Sequence, residues 1–460
     1  MLPGNIVNEL VQIVGKENVL TEQEELAAYA FDATADIPKV LPEVVVTPCN
    51  AEQVQQIVKI ADKYEAPLLT RGSGTNLSGG TVPIKKGIVM VMVKMNKIIE
   101  VDYNNLTATV QPGVIIQDLN DAIAQYDLLY PPDPGTVATA TMGGSVAECS
   151  GGLRGLKYGV TKDYVMGLEV ILANGKVMRC GGKTVKNVTA YDMVKLFVGS
   201  EGTLGVITEI IVKLIPAPEA RKSAMATFKS IDDAASAIMG IISNKVIPAT
   251  LEIMDNVTIK TVENYAHVGL PTDAEAILLI EVDGIPEVVE KEAQAVARVC
   301  QENNGSLKIA ETEQERDDLW EARRAALPAL AQVSPTTVLE DATVPRSKIP
   351  DMLKALRGIA NKYQLPIGTF GHAGDGNLHP TILTDETNKE EMERVHKAVD
   401  EIFEVALKLG GTLSGEHGIG IAKQKYLEKE FGEAGIEALE AVKKALDPKN
   451  LLNPGKIVNV

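Results

Sequence analysis

The sequence predicts an α+β fold with two successive domains, and two observations carry this prediction. Short apolar or β-branched runs such as residues 276–282 are typical of buried strands, whereas stretches with spaced apolar residues such as 285–302 are typical of amphipathic helices. The segment Pro-Ala-Pro at 216–218 interrupts both patterns and indicates a boundary. Because the chain has 460 residues, two or three domains with sizeable cores are expected.

The same patterns divide the chain into four parts. Residues 1–35 predict one or two short amphipathic helices, and residues 36–216 predict strands alternating with short helices such as 51–64. Residues 217–423 predict a second α+β domain, and residues 424–460 an acidic helical segment. The clearest elements of the second domain are strands at 276–282 and 366–370 and helices at 285–302, 348–362 and 389–408.

Composition excludes several classes of function. The formal charge of −17 argues against nucleic-acid binding and against docking on anionic membranes. The four cysteines are scattered without a C-x-x-C pair, so the sequence encodes neither an iron–sulfur cluster nor a zinc knuckle. The first residues lack the basic and apolar regions of a signal peptide, and no apolar run approaches the ~18 residues of a membrane span. A cytoplasmic location is expected.

A glycine-rich loop at residues 71–80, Arg-Gly-Ser-Gly-Thr-Asn-Leu-Ser-Gly-Gly, follows a short apolar run. Its backbone N–H groups and hydroxyls could cradle phosphates, with Arg71 adding charge. Leu77 stands where a Rossmann fingerprint beginning at Gly72 requires glycine, and no Gly-Lys-Ser/Thr ends the loop as in a P-loop. A flexible surface loop is the alternative. Similar loops at 131–135, 141–147, 151–155 and 198–208 favour a long diphosphate-bearing cofactor.

Residues 372–379, His-Ala-Gly-Asp-Gly-Asn-Leu-His, hold two of the five histidines. Asp-Gly is a preferred pair for a two-residue hairpin turn, which would place His372 directly opposite His379. Opposed residues have Cβ atoms about 4.5–5.5 Å apart, close enough for both imidazoles to share a metal ion. A histidine pair that only hydrogen-bonds is the alternative.

A carboxylate and another imidazole, Glu416 and His417, stand between glycines in the segment 414–420, Ser-Gly-Glu-His-Gly-Ile-Gly. In an extended segment their side chains point to opposite faces, so one could bind the metal while the other faces a substrate. Two histidines and one carboxylate leave coordination positions open, which suits catalysis better than a closed structural site. A surface turn is the alternative for this pair alone.

These motifs together carry a family resemblance. The segments 71–76, 198–205, 371–379, 415–418 and 453–456 resemble those of the FAD-linked oxidases of the vanillyl-alcohol oxidase/p-cresol methylhydroxylase fold. Within that fold the two histidine-containing motifs resemble the branch of D-lactate dehydrogenase and the glycolate oxidase catalytic subunit. The resemblance implies an FAD-binding domain, a second α+β substrate or cap domain, and a C-terminal segment that returns to the FAD domain.

The resemblance implies noncovalent FAD, because Thr75 stands where some members of the fold carry an attachment histidine. By the same resemblance, two groups of residues bind the cofactor. The pyrophosphate is assigned to Arg71, Gly72, Ser73, Gly74, Thr75 and Asn76, and the flavin or adenosine to Pro134, Gly143, Gly144, Glu201, Gly202, Ile207 and Asn453.

The resemblance also assigns a metal and catalytic roles. His372, His379 and Glu416 match the ligands of one divalent metal ion, which is Fe²⁺, Zn²⁺ or Mn²⁺ on ligand chemistry. His417 matches the catalytic base and Asn377 a substrate-side residue. A carboxylate-binding arginine corresponds to Arg323, with Arg324 as the alternative.

The implied activity is oxidation of a small D-2-hydroxy acid, D-lactate first and glycolate next, to the 2-oxo acid. Because the sequence encodes no second redox centre, electrons are expected to pass to a protein acceptor such as an electron-transferring flavoprotein or an iron–sulfur subunit. Two alternatives remain at this stage. One is a flavoprotein oxidase of the same fold that acts on another alcohol, and the other is a flavin-carrying subunit of an electron-transfer complex.

Overall fold

Helices and strands alternate along residues 2–460, the part of the chain that the computed structural model describes. The helices are α1 (Ile6–Val14), α2 (Gln23–Leu26), α3 (Ala51–Tyr64), α4 (Ile116–Ala124), α5 (Met142–Glu148), α6 (Gly155–Tyr158), α7 (Met193–Phe197), α8 (Ile231–Ser243), α9 (Asn256–Ala266), α10 (Pro286–Glu302), α11 (Glu313–Arg324), α12 (Ala326–Val333), α13 (Ile349–Tyr363), α14 (Lys389–Lys408) and α15 (Leu427–Leu446). The strands are β1 (Val19–Leu20), β2 (Val44–Val46), β3 (Leu68–Arg71), β4 (Ile88–Val91), β5 (Ile98–Asp102), β6 (Thr107–Val110), β7 (Leu128–Leu129), β8 (Val165–Ile171), β9 (Val177–Gly181), β10 (Val206–Lys213), β11 (Ile215–Pro216), β12 (Ala220–Phe228), β13 (Thr250–Asp255), β14 (Ala276–Gly284), β15 (Ser306–Ile309), β16 (Thr336–Leu339), β17 (Ala342–Thr343), β18 (Ile367–His372) and β19 (Asn377–Thr384).

The chain forms two compact units, each made of separated segments. The first comprises the chain up to Gly151, Val160–Ala217 and Glu416–Val460, and the second comprises Gly152–Gly159 and Pro218–Gly415. One division falls inside the Pro-Ala-Pro segment. Two others differ from the limits expected from the sequence, because the chain re-enters the first unit at Glu416 rather than at 424, and α6 belongs to the second unit.

The first unit contains two main sheets. Strands β2, β4 and β3 run parallel in the order β1-β2-β4-β3, and five antiparallel strands follow in the order β5-β6-β10-β8-β9. Parallel strands need a crossover, and α3 supplies it between β2 and β3. Helix α3 begins where the side chain of Asn50 accepts a hydrogen bond from the backbone N–H of Gln53 at 2.9 Å. Its buried residues recur at helical spacing, at Val54, Ile57, Val58, Ile60 and Ala61.

The second unit is built on an eight-stranded antiparallel sheet. The strand order is β15-β12-β14-β13-β18-β19-β16, and β17 also pairs with β19. All residues of β18 and β19, and all but the last of β13, are buried. Strands buried on both faces are normally apolar throughout, so the polar side chains among them need buried partners.

The structure confirms the α+β fold class and most of the expected elements. The helices expected at 51–64 and 389–408 have these bounds, and those expected at 285–302 and 348–362 are Pro286–Glu302 and Ile349–Tyr363. The strand expected at 276–282 is longer, Ala276–Gly284. Within residues 2–460 no helix is long and apolar enough to span a bilayer.

Candidate active site

In the first unit, the glycine-rich loop that follows β3 lies against the start of α5. A Cβ built on Gly72 would lie 2.2 Å from Oγ1 of Thr141, so only glycine fits there. Thr141 begins α5, and its hydroxyl accepts a hydrogen bond from the backbone N–H of Gly144 at 3.2 Å. The structure therefore brings the expected pyrophosphate loop together with the first turn of α5, which contains Gly143 and Gly144.

Arg71 is buried beneath this loop. Its guanidinium donates hydrogen bonds to the carbonyl oxygen of Phe31 at 2.8 Å and to the hydroxyl of Thr81 at 3.2 Å. A Cβ on Gly74 would collide with Nη2 of Arg71. Arg71 thus packs against the backbone of the loop and supports it. The positive charge expected at this position is part of the same side chain.

Asn453 ties the far end of the loop to the segment around Glu201. Its side-chain amide donates to the carbonyl oxygens of Gly80 at 2.9 Å and of Glu201 at 2.8 Å. Its backbone N–H donates to the carbonyl oxygen of Leu68 in β3 at 2.8 Å. Three sequence-distant segments of the expected FAD site are therefore held together by one residue.

The carboxylate of Glu201 supports the loop that follows His417. It accepts hydrogen bonds from the backbone N–H groups of Ile419 and Gly420, both at 2.7 Å. Burial raises the pKa of this carboxyl group, and the two N–H groups, with Lys456 and Lys423, only partly offset that effect. Gly418 has a left-handed φ of 81°, and a Cβ there would lie 2.9 Å from Oε1 of Glu201.

Replacing Glu201 with alanine is expected to lower the free energy of unfolding by about 2–4 kcal/mol, because one buried and one partly buried backbone N–H group lose their acceptor. The urea midpoint measures this loss. Glu209→Ala, at a half-buried position in β10, is the control and should cost much less. Equal midpoints for the two variants would contradict a supporting role for Glu201.

Of the remaining residues assigned to FAD, Ile207 is buried in β10 beyond the left-handed residues Glu201 and Gly202. Pro134 is buried in a separate turn, where its carbonyl oxygen accepts from the backbone N–H of Val137 at 2.8 Å. Both residues lie in the first unit.

In the second unit, the hairpin of β18 and β19 carries both histidines, but its predicted register is wrong. His372 pairs with Asn377, and His379 pairs with Phe370. The turn is longer because the side chain of Asp375 accepts a hydrogen bond from the backbone N–H of Asn377 at 3.2 Å, while the N–H of Gly374 donates to Leu251 of β13 at 3.0 Å. The extra turn residues move His379 to the position diagonal to His372.

The two imidazoles nevertheless lie on one face of the hairpin, because residues two apart on a strand share a face. Their ring centroids are 5.2 Å apart with the planes perpendicular. Both side chains are buried, with 6% exposure for His372 and 3% for His379. The expectation that two imidazoles are brought together on one sheet face is therefore correct, although they are not directly opposed.

A buried carboxylate that the sequence analysis missed, Glu252 of β13, joins His372 to Arg323. Its Oε1 lies 2.7 Å from Nδ1 of His372, and its Oε2 accepts from Nε of Arg323 at 2.6 Å. Burial alone would raise the pKa of Glu252, but His372 and Arg323 outweigh that effect and hold the pKa below its ordinary value. Glu252 is therefore ionised in the neutral pH range.

The two candidate arginines differ in position. Arg323 is buried at the end of α11, and its guanidinium lies 4.8 Å from the ring centroid of Phe370, the strand partner of His379. Arg324 is exposed. Only Arg323 lies beside the histidine hairpin, in contact with Glu252 and Phe370.

Asn377 and Thr343 pair across β19 and β17, and both side-chain oxygens are buried without a hydrogen bond from the described residues. Leaving a buried oxygen unsatisfied costs about 1–3 kcal/mol, so these atoms suit a ligand that donates to them. A Cβ on Gly415 would lie 2.4 Å from each of these side chains. Asp341 holds this segment by accepting from the backbone N–H of Gly415 at 2.9 Å and from the hydroxyl of Ser414 at 2.6 Å.

Glu416 and His417 directly follow Gly415 and open the last segment of the first unit. Both side chains are half-buried. A Cβ on Gly151 would lie 2.6 Å from Oε2 of Glu416, so the carboxylate passes close to that backbone. Gly415, on the N-terminal side of this pair, is thus required by close packing against the side chains of Asn377 and Thr343.

Sequence reasoning missed Glu252 and Asp341 because neither belongs to a recognisable motif. A signal for Glu252 did exist, since it is the only charged residue within the apolar stretch 249–254, Ala-Thr-Leu-Glu-Ile-Met. A carboxylate inside a strand with no exposed face requires a buried cation or donor. Asp341 follows Glu340 in a loop, where charged residues are common, so the sequence gave no comparable signal for it.

Comparison with known proteins identifies the family. Residues 42–181 match the FAD binding domain, and residues 217–457 match the C-terminal domain of FAD linked oxidases. The glycolate oxidase subunit GlcD of Bacillus subtilis (strain 168) is 51% identical over 458 residues, covering 99% of this chain and 97% of that protein. The D-lactate dehydrogenase of Archaeoglobus fulgidus is 37% identical over 441 residues, covering 94% and 95%.

A solved structure supports the same assignment at the level of the fold. Substrate-bound p-cresol methylhydroxylase has a TM-score of 0.82 at 20% identity, covering 99% of this chain and 96% of that one. The sequence-based resemblance is confirmed. The chain belongs to the FAD-linked oxidases of the vanillyl-alcohol oxidase/p-cresol methylhydroxylase fold, in the branch that contains the glycolate oxidase subunit GlcD and the D-lactate dehydrogenases.

Proposed function

We propose that the protein oxidises a small D-2-hydroxy acid to the 2-oxo acid, using noncovalent FAD and one divalent metal ion, and passes the electrons to a protein acceptor. The observation that carries this proposal is the buried pair His372 and His379, with Nδ1 of His372 held by Glu252. An imidazole with one nitrogen fixed by a carboxylate presents its other nitrogen in the tautomer that binds metal. The names of the relatives above supply the substrate class and support D-lactate and glycolate alike.

The donor set fits a metal ion. Two imidazoles and the carboxylate of Glu416 are the ligands we assign to it, and this set leaves positions for substrate oxygens. Glu416 follows Gly415, whose backbone packs against Asn377, the strand partner of His372. A divalent ion supplies Lewis acidity that favours loss of a hydroxyl proton.

The residues around the expected FAD site also fit that cofactor. Glycines at 72 and 74 leave no room for side chains, and Gly72 packs directly against Thr141 at the start of α5. FAD, when bound, accepts the two electrons that leave the substrate carbon. We assign the cofactor to residues 71–76 together with Pro134, Gly143, Gly144, Glu201, Gly202, Ile207 and Asn453.

Three side chains carry the proposed work on the substrate. His417 takes the hydroxyl proton as general base, because imidazole titrates near neutral pH. Arg323 binds the substrate carboxylate through its Nη groups, since its Nε is already committed to Glu252. Asn377 orients the substrate by accepting a hydrogen bond at its buried side-chain oxygen.

Anaerobic titration tests the proposal directly. Bleaching of the flavin absorbance by D-lactate or glycolate, with no bleaching by L-lactate or by a simple alcohol, is expected. Bleaching by an alcohol without a carboxylate would favour an oxidase of another specificity. No bleaching by any substrate would favour a flavin-carrying subunit of an electron-transfer complex.

The electron acceptor needs a separate measurement. Reoxidation of the bleached protein by an electron-transferring flavoprotein or an iron–sulfur protein from the same cells should be much faster than reoxidation by oxygen. Rapid turnover on oxygen, with none on either carrier, would reject a protein acceptor.

Because we propose that FAD is bound noncovalently, unfolding of the protein is expected to release the yellow cofactor. After denaturation in urea and ultrafiltration, the FAD is expected in the filtrate, because Thr75 offers no nucleophile of the kind used for attachment. Absorbance and mass of the retained chain measure the outcome. A chain that keeps the colour and the added mass of the cofactor would contradict the prediction.

A further inference from the structure

We propose that Glu252 is a positioning residue that fixes His372 for metal binding and Arg323 for substrate binding at the same time. This inference rests on the proposed function and adds a residue to it. Glu252 lies in β13, whose neighbours are β14 and β18, and its side chain is fully buried. The two oxygens bind residues of two different elements, because His372 is the last residue of β18 and Arg323 lies in the last turn of α11.

The hydrogen bond to His372 sets the form of the imidazole. Nδ1 of His372 faces Oε1 of Glu252 at 2.7 Å, so Nε2, on the opposite side of the ring, is the nitrogen left to face a metal ion. The bond also fixes the rotation of the ring, which stands perpendicular to His379 at 5.2 Å. His372 thus gains its orientation from Glu252 before a metal ion binds.

The bond to Arg323 sets the direction of the guanidinium. Because Nε donates to Glu252 at 2.6 Å and the guanidinium lies over Phe370 at 4.8 Å, the plane of the fork is fixed on two sides. The Nη groups then form the part of the fork that can pair with a carboxylate. Glu252 also neutralises the buried cation, which would otherwise be costly in an apolar strand layer.

One residue therefore couples two binding events, and this gives a signature that a merely structural carboxylate would lack. Removing the charge of Glu252 should weaken metal binding and also raise the KM for the hydroxy acid. Glu281 of β14 provides the contrast. It is also a buried carboxylate, but it accepts its hydrogen bonds from the hydroxyl of Ser223 at 2.7 Å and from Nε1 of Trp320 at 3.2 Å.

The test compares Glu252→Gln with Glu281→Gln in the FAD-loaded full-length chain after removal of metal. Calorimetric titration with Zn²⁺ should give a Kd weaker by about 10–100-fold for Glu252→Gln, the usual effect of losing the carboxylate behind a metal-bound histidine. The Kd of Glu281→Gln should equal that of the wild type. At saturating metal, Glu252→Gln should raise the KM for D-lactate or glycolate more than it lowers kcat.

Glu252→Asp is the second variant, because it keeps the charge that neutralises Arg323 and withdraws the oxygens by one methylene. Its Zn²⁺ affinity should lie between those of the wild type and Glu252→Gln. If Glu252→Gln does not fold, the aspartate variant decides, and wild-type affinity in it would overturn the inference. Wild-type affinity and KM in Glu252→Gln would do the same. A wild-type protein that binds no Zn²⁺, or that neither acid reduces, would instead reject the proposed function.

Discussion

Replacing His372 or His379 with alanine is expected to abolish flavin reduction by the hydroxy acid, with a loss of at least about 10³-fold, while FAD stays bound. Each change removes a proposed metal ligand, and the effect combines lost affinity with lost Lewis acidity. The two histidines belong to the second unit, whereas the contacts of the FAD loop described above lie within the first. The flavin absorbance of the purified variant should therefore match that of the wild type.

Stopped-flow reduction and metal analysis measure the two effects together. His396→Ala provides the matched control, because this histidine is exposed on α14 and should affect neither quantity. A double variant that lacks both hairpin histidines, contains no metal and still reduces its flavin at the wild-type rate would eliminate the metal from the proposal.

The second large effect is expected at His417. Replacement by asparagine should slow flavin reduction by about 10²–10⁴-fold, the usual contribution of a positioned general base. Metal content should remain at the wild-type level, because Glu416 rather than His417 is the assigned ligand. The acidic limb of the pH–rate profile should also disappear, since the group that must be unprotonated is gone.

Single-turnover rates across pH, with metal analysis of the same samples, check this prediction. Loss of the metal from His417→Asn, with an unaltered pH profile in the metal-restored protein, would show that Glu416 and His417 have exchanged roles. Glu416→Gln is the companion variant, for which loss of metal without loss of the pH dependence is expected.

The helices and strands could be predicted well from short stretches of sequence, because helix caps and the spacing of apolar residues depend only on nearby residues. Helix α14 has the bounds expected from the sequence, and the side chain of Asn388 caps it by accepting from the backbone N–H of Glu391 at 3.2 Å. The hairpin register could not be predicted in the same way. It depends on Leu251, more than 100 residues away, which binds the N–H of Gly374 and so favours the longer turn.

The candidate site shows the same division. Residues in glycine-rich or histidine-containing motifs could be assigned from the sequence, since those motifs carry a recognisable resemblance. Glu252 stands out in its apolar stretch, but its partners could not be inferred, because they become neighbours only when β13 lies beside β18 and α11 packs close to both. Partners that come from separate elements leave no spacing in the sequence from which to infer them.

The contacts of Asn453 have a consequence for the biosynthesis of the protein. The edge of β3 and the glycine-rich loop that follows it are synthesised early, yet the groups that bind them, around Leu451 and Asn453, are translated nearly 400 residues later. Until then the nascent chain carries an open strand edge, which is a site for wrong pairing and for chaperone binding. Completion of this edge thus waits for the synthesis of residues 451–453, and a ribosome stalled before residue 453 leaves a chain in which β3 and the loop lack these partners.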